Sequence, residues 1–408
     1  MPSSHVSSNS GHSSASSSGS LSGFPEEDLR SAGRNNPGYF LARLGQTLER
    51  GRYCIVRKLG WGQYSSVWLA RDREEDRFVA LKILTCEATK ALSGGETEQR
   101  SDELALLQRI ADAEPSHPEF RHNIACYGSF EFAGPRGAHR CVVTEALGYS
   151  LDYIRKLTDD GDRRVRPSIV KRVVKQVLQG LQYLHDVRGI IHADIKHDSI
   201  LLRPAAVSAV AAHALATDPS VAYDCGTEAC PPVVPVESQA LPLSAAPAVR
   251  DDELEAVLAH VGHSHWRRRH FQEVIQPAAL RAPEVILGYA WDTPADISSA
   301  KYEGLHFAND GALGASFWLF EASAQSGWGV EEDHLARMTE ALNAPFDVGF
   351  SPVNDELMWQ IRRLLKLFSL LQDAAEVDVA ERFILRCLRL VPEEHATAGE
   401  LADDPWLA

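Results

Sequence analysis

Residues 168–185, SIVKRVVKQVLQGLQYLH, place Val170, Val173, Val174, Val177, Leu178, Leu181 and Leu184 on one stripe of an α-helix. A stripe that wide has to be buried, so the chain needs a helical layer packed around this segment. Upstream the period changes. RYCIVRKLG (52–60), SSVWLARD (65–72) and FVALKIL (78–84) read as strands parted by glycine-containing or charged turns, and CVVTEALG (141–148) returns to strand. Between them SDELALLQRI (101–110) reads as a helix, because Leu104, Leu107 and Ile110 recur at helical spacing. Strands first and helices afterwards predict an α+β protein of two lobes. The first lobe is small and β-rich with one helix; the second is larger and α-helical.

The predicted boundaries follow composition. Residues 1–37 open with MPSSHVSSNSGHSSASSSGS, which has too few large apolar groups to offset the entropy of ordering, and are expected to be a disordered Ser-rich tail. Residues 38–148 form the small lobe, and 149–202 begin the helical lobe. Residues 203–250, rich in Ala, Pro and Val without a sustained period, read as an irregular insert. Residues 251–408 complete the helical lobe. With 408 residues and 44% hydrophobic content the chain can fill the cores of both lobes.

The net charge of −15 argues against a nucleic-acid-binding surface and suits basic partners. Seven cysteines without a CxxC pair fit reduced thiols in an intracellular protein. The N-terminus lacks a signal-peptide pattern. The apolar run AAVSAVAAHALA, broken by His213, is too short to span a bilayer. These features predict a soluble monomer of the cytoplasm and/or nucleus, without membrane contact.

Several short constellations carry chemistry. In LGWGQYSSVWLA, Gly60 and Gly62 lie between two strands, where backbone without Cβ can close over phosphates; most such glycine pairs are only turns. Lys82 sits on the apolar strand VALKIL, and its bland reading is a head that snorkels to the surface. Glu103 on the following helix is placed to pair with it, with Glu98 as a competitor. GIIHADIKHDSILL (189–202) presents His192, Asp194 and Lys196. Asp194 can accept the proton of an attacking hydroxyl, and Lys196 can neutralise charge on a transferring phosphoryl group. Glu284 follows in LRAPEVILG. Each alone is weak; their order and spacing together reproduce the protein-kinase signature set.

The chain further resembles the SR-protein kinase family, in its divergent fungal-type members. The resemblance is carried by GYFLARLGQTLERGRY, RYCIVRKLGWGQYSSVWLARD, QVLQGLQYLH, LRAPEVILGYAWDTPADI, EEDHLARM and ATAGELADDPWL, and covers about residues 38–203 and 253–408. Trp61 between the glycines and Ser65 in place of a third glycine are among its specific marks. It implies a bilobal protein-kinase fold and transfer of the ATP γ-phosphoryl group, with Mg²⁺, to serines of Arg/Ser-rich proteins. A basic substrate or docking partner is the implied companion. It assigns Leu59, Gly60, Trp61, Gly62, Val67, Ala80, Lys82, Glu103, Glu145 and Leu147 to ATP, and Asp194 and Lys196 to catalysis. His192, Glu284 and Asp296 take structural roles, Asp296 anchoring the catalytic loop's backbone from below.

The chain departs from that pattern at the metal. The family's metal-holding Asn corresponds to Ser199. Counting back from APE, its DFG Asp corresponds to His260 in HVG; DCG at 224–226 lies too far upstream and lacks the apolar strand that EAVLAHVG has. Mg²⁺ prefers anionic oxygen ligands, and neither replacement supplies one. His395 stands where an Arg would pair with the Glu284 position, and Ser298 replaces a Trp at the head of a long helix whose continuation to 318 is interrupted by Gly304, Gly311 and Gly314. His260, His263, His265 and His270 match no zinc-finger spacing and read more readily as an exposed basic loop. Two functional readings stay open: a kinase working with a degraded metal site, and a pseudokinase that acts as a docking or scaffold module.

Overall fold

The computed structural model describes residues 26, 27, 29, 37–93, 102–112, 117–151, 166–223, 235–244, 250–300, 329–342, 374–387, 389 and 391–408. The small lobe is an antiparallel sheet of six strands: β1 (Thr47–Leu48), β2 (Tyr53–Gly62), β3 (Ser65–Asp72), β4 (Arg77–Leu84), β5 (Cys126–Gly134) and β6 (Gly137–Glu145). Their spatial order is β1-β2-β3-β4-β6-β5. Short turns after Gly62 and Asp72 make β2, β3 and β4 a meander whose alternate side chains, Ile55, Trp68, Val79, Leu81 and Ile83, meet Val143 of β6 in one core. The predicted strands are all present; β5 completes the sheet as the hairpin partner of β6.

Two helices stand beside this sheet, α1 (Cys86–Ser93) and α2 (Glu103–Ala111). The Asp102 carboxylate caps α2 by accepting the Leu104 N–H at 3.0 Å. Leu106, Leu107 and Ile110 of α2 pack in the same cluster as Val142 of β6 and the stripe of α3 (Pro167–Gln182), so α2 joins the two lobes. Helix α3 starts at Pro167, where the missing N–H is harmless, and its Gly180 allows a close approach. A Cβ there would lie 2.9 Å from the His122 carbonyl oxygen and 2.9 Å from Leu258. The helix ends in a wider turn (Tyr183–Arg188), closed by Gly189 at φ 66°.

The segment that carries His192, Asp194 and Lys196 follows α3. It comprises β7 (Ile190–Ile191) and β8 (Ile200–Leu202), paired respectively with β10 (His265–Trp266) and β9 (Ala256–Leu258). The helical lobe continues with α5 (Pro283–Ile286), a helix over 294–300, α6 (Val330–Leu342), α7 (Ala374–Cys387) and α8 (Ala398–Ala402). None of the described helices is long and apolar enough to cross a membrane. The two-lobed α+β architecture expected from the sequence is the one observed.

Two expectations need correction. The stretch read as an irregular insert contains helix α4 (Val207–Thr217). Its residues are almost all small and apolar, so no polar face reveals the helical period, although Ala favours the helix. Val210, Ala211 and Ala214 are buried, and Arg57 of β2 reaches the helix's last turn, donating to the Ala214 carbonyl at 3.2 Å. Further on, Val236 enters the sheet core and Leu241 packs with Leu69, Phe78 and Ala146. The Ser-rich tail is the second correction. Most of it lies outside the described residues, but Glu26, Glu27 and Leu29 are buried. Glu26 and Glu27 both pair with the buried Lys58 of β2, Glu26 at 2.6 Å, and Glu26 also accepts the Ser238 hydroxyl at 2.8 Å. A composition averaged over the tail hides one short charged cluster, which a buried lysine requires as its counter-charge.

The predicted interruption over 297–318 lies outside the described residues beyond 300. Ser298 itself is helical and fully buried, and its hydroxyl finds no hydrogen-bond partner among the described residues.

Candidate active site

The sheet and α2 bring Lys82 and Glu103 together. Lys82 sits mid-strand on β4, opposite Val67 of β3 and Val142 of β6, while Glu103 opens α2. The ammonium lies 2.5 and 2.7 Å from the two carboxylate oxygens, so both oxygens face one cation. Glu98, the competitor, lies outside the described residues. Across the β2–β3 turn, Gly60 and Gly62 have no atom within 4 Å of where a Cβ would stand, leaving an open roof over this pair. The Tyr39 hydroxyl, from the lead-in segment, donates to the Gly62 carbonyl at 2.7 Å, and its ring meets Trp61 edge-on at 6.4 Å. Ala80 of β4 is buried, Val67 is half-buried, and Leu59 packs against the Leu241 cluster.

Where the lobes meet, the Glu145 side chain is committed elsewhere. Its oxygens accept the Ala125 N–H at 2.9 Å and two N–H groups of Arg203 at 2.7 and 2.9 Å. Arg203 also reaches Glu255 at 3.0 Å. Glu145 can therefore line a nucleotide site through its backbone but not through its carboxylate. Leu147 packs on Val257 and Ala259.

The loop after β7 is held from below by Asp296. Its carboxylate accepts the backbone N–H groups of His192 and Ala193, each at 2.7 Å, and the His185 Nε2–H at 2.8 Å. Burial opposes ionisation of this group, but those hydrogen bonds and the nearby histidines outweigh it and hold the carboxyl below its usual range. Ala193 adopts φ 64°, a left-handed conformation uncommon for a non-glycine residue, and the Asp296 clamp sustains it. His192 is fully buried. Its Nε2–H donates to the Ala259 carbonyl at 2.8 Å, which fixes the tautomer, and burial lowers its basicity.

Asp194 emerges from this loop with Lys196 Nζ 2.9 Å from its Oδ2. His263 Nδ1 lies 3.7 Å from the same oxygen. Two residues foreseen in the sequence, Asp194 and Lys196, thus converge, and His263 joins them. His263 was read only as part of an exposed basic loop, and the loop-holding His185 carried no local pattern by which to find it.

The positions of the two expected metal ligands behave differently. The Ser199 hydroxyl accepts the Lys196 N–H at 2.9 Å and lies 2.7 and 2.8 Å from the carbonyl oxygens of Asp194 and Lys196, which share its proton. It is fully buried and turned into its own loop. His260 follows β9 in a left-handed conformation, φ 58°. Solvent reaches its ring, but the surrounding protein and the Lys82 ammonium push its pKa down to about 4, so it is neutral near pH 7. The glycine of the same HVG motif approaches Glu103, with 3.5 Å between its Cβ position and the carboxylate, in keeping with the His260 alignment. Residues 224–226 lie outside the described residues.

A hydroxyl saturated by its own loop and a neutral imidazole beside an ammonium do not make a Mg²⁺ site. Among the described residues no group of three or more His, Cys, Asp or Glu could hold a metal. The other histidines pack rather than converge: His270 stacks on Trp291 at 3.7 Å, and His265 meets the same ring edge-on at 5.0 Å. Glu284 is buried on α5, and His395 donates from Nε2 to the Arg389 carbonyl at 2.9 Å.

Comparison with known proteins agrees with this geometry. A model of the protein kinase domain matches residues 53–211. Protein kinase dsk1 of Schizosaccharomyces pombe is 27% identical over 465 residues, covering 91% of this chain and 83% of that protein. Serine/threonine-protein kinase SRPK of Physarum polycephalum is 29% identical over 418 residues, 94% of this chain and 92% of that one. SRSF protein kinase 3 of Mus musculus is 40% identical over 165 residues, 40% of this chain and 28% of its own length. The ion pair under an open glycine turn and the buried-carboxylate clamp on the loop of Asp194 thus sit in a chain that is similar to the protein kinase domain over residues 53–211 and, over most of its length, to kinases of the SR-protein kinase type.

Proposed function

We propose that the protein is an ATP-binding serine/threonine kinase of SR-protein kinase type that phosphorylates serines in Arg/Ser-rich proteins with a degraded metal site. The observation that carries the reading is the pairing of Lys82 with Glu103 at 2.5 Å, together with Asp194 and Lys196 at 2.9 Å on a clamped loop. Lys82 would hold the α- and β-phosphates beneath Gly60 and Gly62. Asp194 would accept the proton of the serine hydroxyl, and Lys196 would offset charge on the phosphoryl group in flight. The kinase family uses ATP with Mg²⁺; the residues here do not supply that ion's ligands, so no step is assigned to it. The net charge of −15 favours a basic substrate. The reading includes a monomer of the cytoplasm or nucleus that acts on proteins rather than on nucleic acid or membranes.

A second reading, a pseudokinase that docks partners, is favoured by one observation: the Ser199 hydroxyl is consumed within its own loop while His260 stands neutral beside Lys82. Loss of an anionic ligand at a phosphoryl-transfer metal is worth several kcal/mol, hence about three decades in rate. The test is transfer of radiolabelled phosphate from ATP to an Arg/Ser-repeat peptide by the native protein, by Asp194→Ala and by the double reversion Ser199→Asn with His260→Asp. Transfer by the native protein that Asp194→Ala abolishes establishes the kinase. A silent native protein beside an active revertant establishes the pseudokinase.

A further inference from the structure

The two replaced metal-ligand positions, Ser199 and His260, are brought side by side by the fold. β8 pairs with β9 through Ile200↔Leu258, and the Ala259 N–H donates to the Ser199 carbonyl at 2.9 Å. His260 then leaves β9 in its left-handed conformation, and its exposed ring lies among Lys82, Glu103 and Lys196, the charged side chains that act on it. Two residues on, the Cβ position of Gly262 comes within 3.5 Å of the Glu103 carboxylate. Position 260 therefore borders the space between the Lys82–Glu103 pair and the loop of Asp194, where the phosphates of a bound nucleotide would sit.

The charges around that space decide what can enter it. The carboxylates of Glu103 and Asp194 already face cations. Both oxygens of Glu103 meet Lys82 Nζ, at 2.5 and 2.7 Å. Asp194 Oδ2 lies 2.9 Å from Lys196 Nζ and 3.7 Å from His263 Nδ1. The aspartate that the resemblance expects at position 260 would add a further carboxylate, and a polyphosphate could settle beside it only with a divalent ion between the two. A histidine is never anionic, so here the charge that such an ion bridges to the phosphates is gone. Lys82 and Lys196 keep 25% and 30% of their side chains exposed, and both ammonium groups can turn on flexible stems toward an incoming anion.

We infer that the cleft binds a nucleoside triphosphate free of divalent metal, with Lys82 and Lys196 balancing the phosphates and His260 as the residue that decides this preference. Ser199 takes no part, because its hydroxyl is held by its own loop. The lysines do by direct charge-assisted hydrogen bonds what the ion does elsewhere, and a metal already on the nucleotide gains no ligand here. The inference rests on the proposed function only for the binding of nucleotide, and not for phosphate transfer.

The test is isothermal titration of the full chain with a non-hydrolysable ATP analogue, once in EDTA and once in excess Mg²⁺, with adenosine as the phosphate-free control. Beside the native chain stand His260→Asp, His260→Asn and Lys196→Met. Asp and Asn both tolerate the left-handed backbone that His260 adopts, and melting temperatures check that each variant folds. The native chain should bind the analogue with affinities within about threefold in the two buffers. His260→Asp should bind about tenfold more weakly in EDTA and recover in Mg²⁺, because the new carboxylate repels the phosphates until a cation bridges them. His260→Asn adds no charge and should keep the native indifference to metal. Lys196→Met should lose about tenfold in EDTA, while adenosine binds every form alike. Native binding that needs Mg²⁺, a His260→Asp variant indifferent to metal, or unchanged affinity in Lys196→Met would overturn the inference and leave the nucleotide-binding reading intact. No binding of the analogue in either buffer would overturn both. If phosphate transfer is silent while metal-free binding holds, the proposed kinase activity fails and the inference stands.

Discussion

The Ser199 hydroxyl lies 2.7 Å from the carbonyl oxygen of Asp194, tying the expected metal-ligand position to the backbone of the residue that would act as base. The hydroxyl also accepts the Lys196 N–H, so three backbone groups of the loop converge on one oxygen. Ser199→Ala should leave buried backbone groups unsatisfied and destabilise the protein by about 1–3 kcal/mol. A thermal melt that matches the native protein would show that the loop does not depend on this bond.

Asp296 should govern the acid limb of stability. Its carboxyl titrates below the ordinary range in the folded protein, so its contribution is complete above the unfolded carboxyl pKa of about 4 and is lost as pH falls through the lower folded value. Asp296→Asn should be destabilised by about 3 kcal/mol or more near pH 7, because the His185 and loop N–H groups lose a charged acceptor. The gap between variant and native protein, measured by urea unfolding, should narrow below about pH 4. A gap that widens on acidification would contradict this linkage.

Lys58 and the pair Glu26 and Glu27 form a buried charged cluster between the tail and β2. Lys58→Met alone should cost about 3–5 kcal/mol, since it leaves two carboxylates buried without their cation. The triple variant Lys58→Met, Glu26→Gln, Glu27→Gln should regain most of that loss. Equal unfolding midpoints for the single and triple variants would show that the cluster is not coupled.

Ser298 offers a stabilising change. Its hydroxyl is buried in a helix without a partner among the described residues, so Ser298→Ala removes a desolvated polar group and improves helix propensity. An increase of about 1 kcal/mol, seen as a melting temperature a few degrees higher, is expected. A lower melting temperature would mean that the hydroxyl is satisfied in solution.

The nucleotide half of the site is tested through Lys82. Lys82→Met should weaken binding of an ATP analogue by about tenfold or more, measured by isothermal titration, because the cation paired with Glu103 beneath the glycine turn is lost. The same titration on the native protein should change little when Mg²⁺ is removed. A strong metal dependence would contradict the absence of a fitted ion site.

Much of the fold was written locally. The strands β2, β3, β4 and β6 and the helices α2 and α3 announce themselves because each buries one face and so repeats its apolar residues at the period of its own backbone. Lys82, Asp194 and Lys196 were legible because their chemistry is carried by residue type at set spacing, and Asp296 because a family pattern marks its position. Helix α4 was not legible, since Ala and Val on every side leave no contrast between faces. Individual contacts supplied the rest. Lys58 finds Glu26 and Glu27, Glu145 turns to Arg203, Ser199 folds into its own loop, and His260 stands beside Lys82. None of these pairings has a period, because each is set by which groups the folded chain brings together. The sequence by itself determined two lobes and singled out Lys82, Asp194 and Lys196 as candidates to meet a phosphate and a proton. Only the tertiary structure decided that the Ser199 hydroxyl turns into its own loop and that His260 stands beside Lys82, because those contacts exist only once the folded backbone brings the groups together.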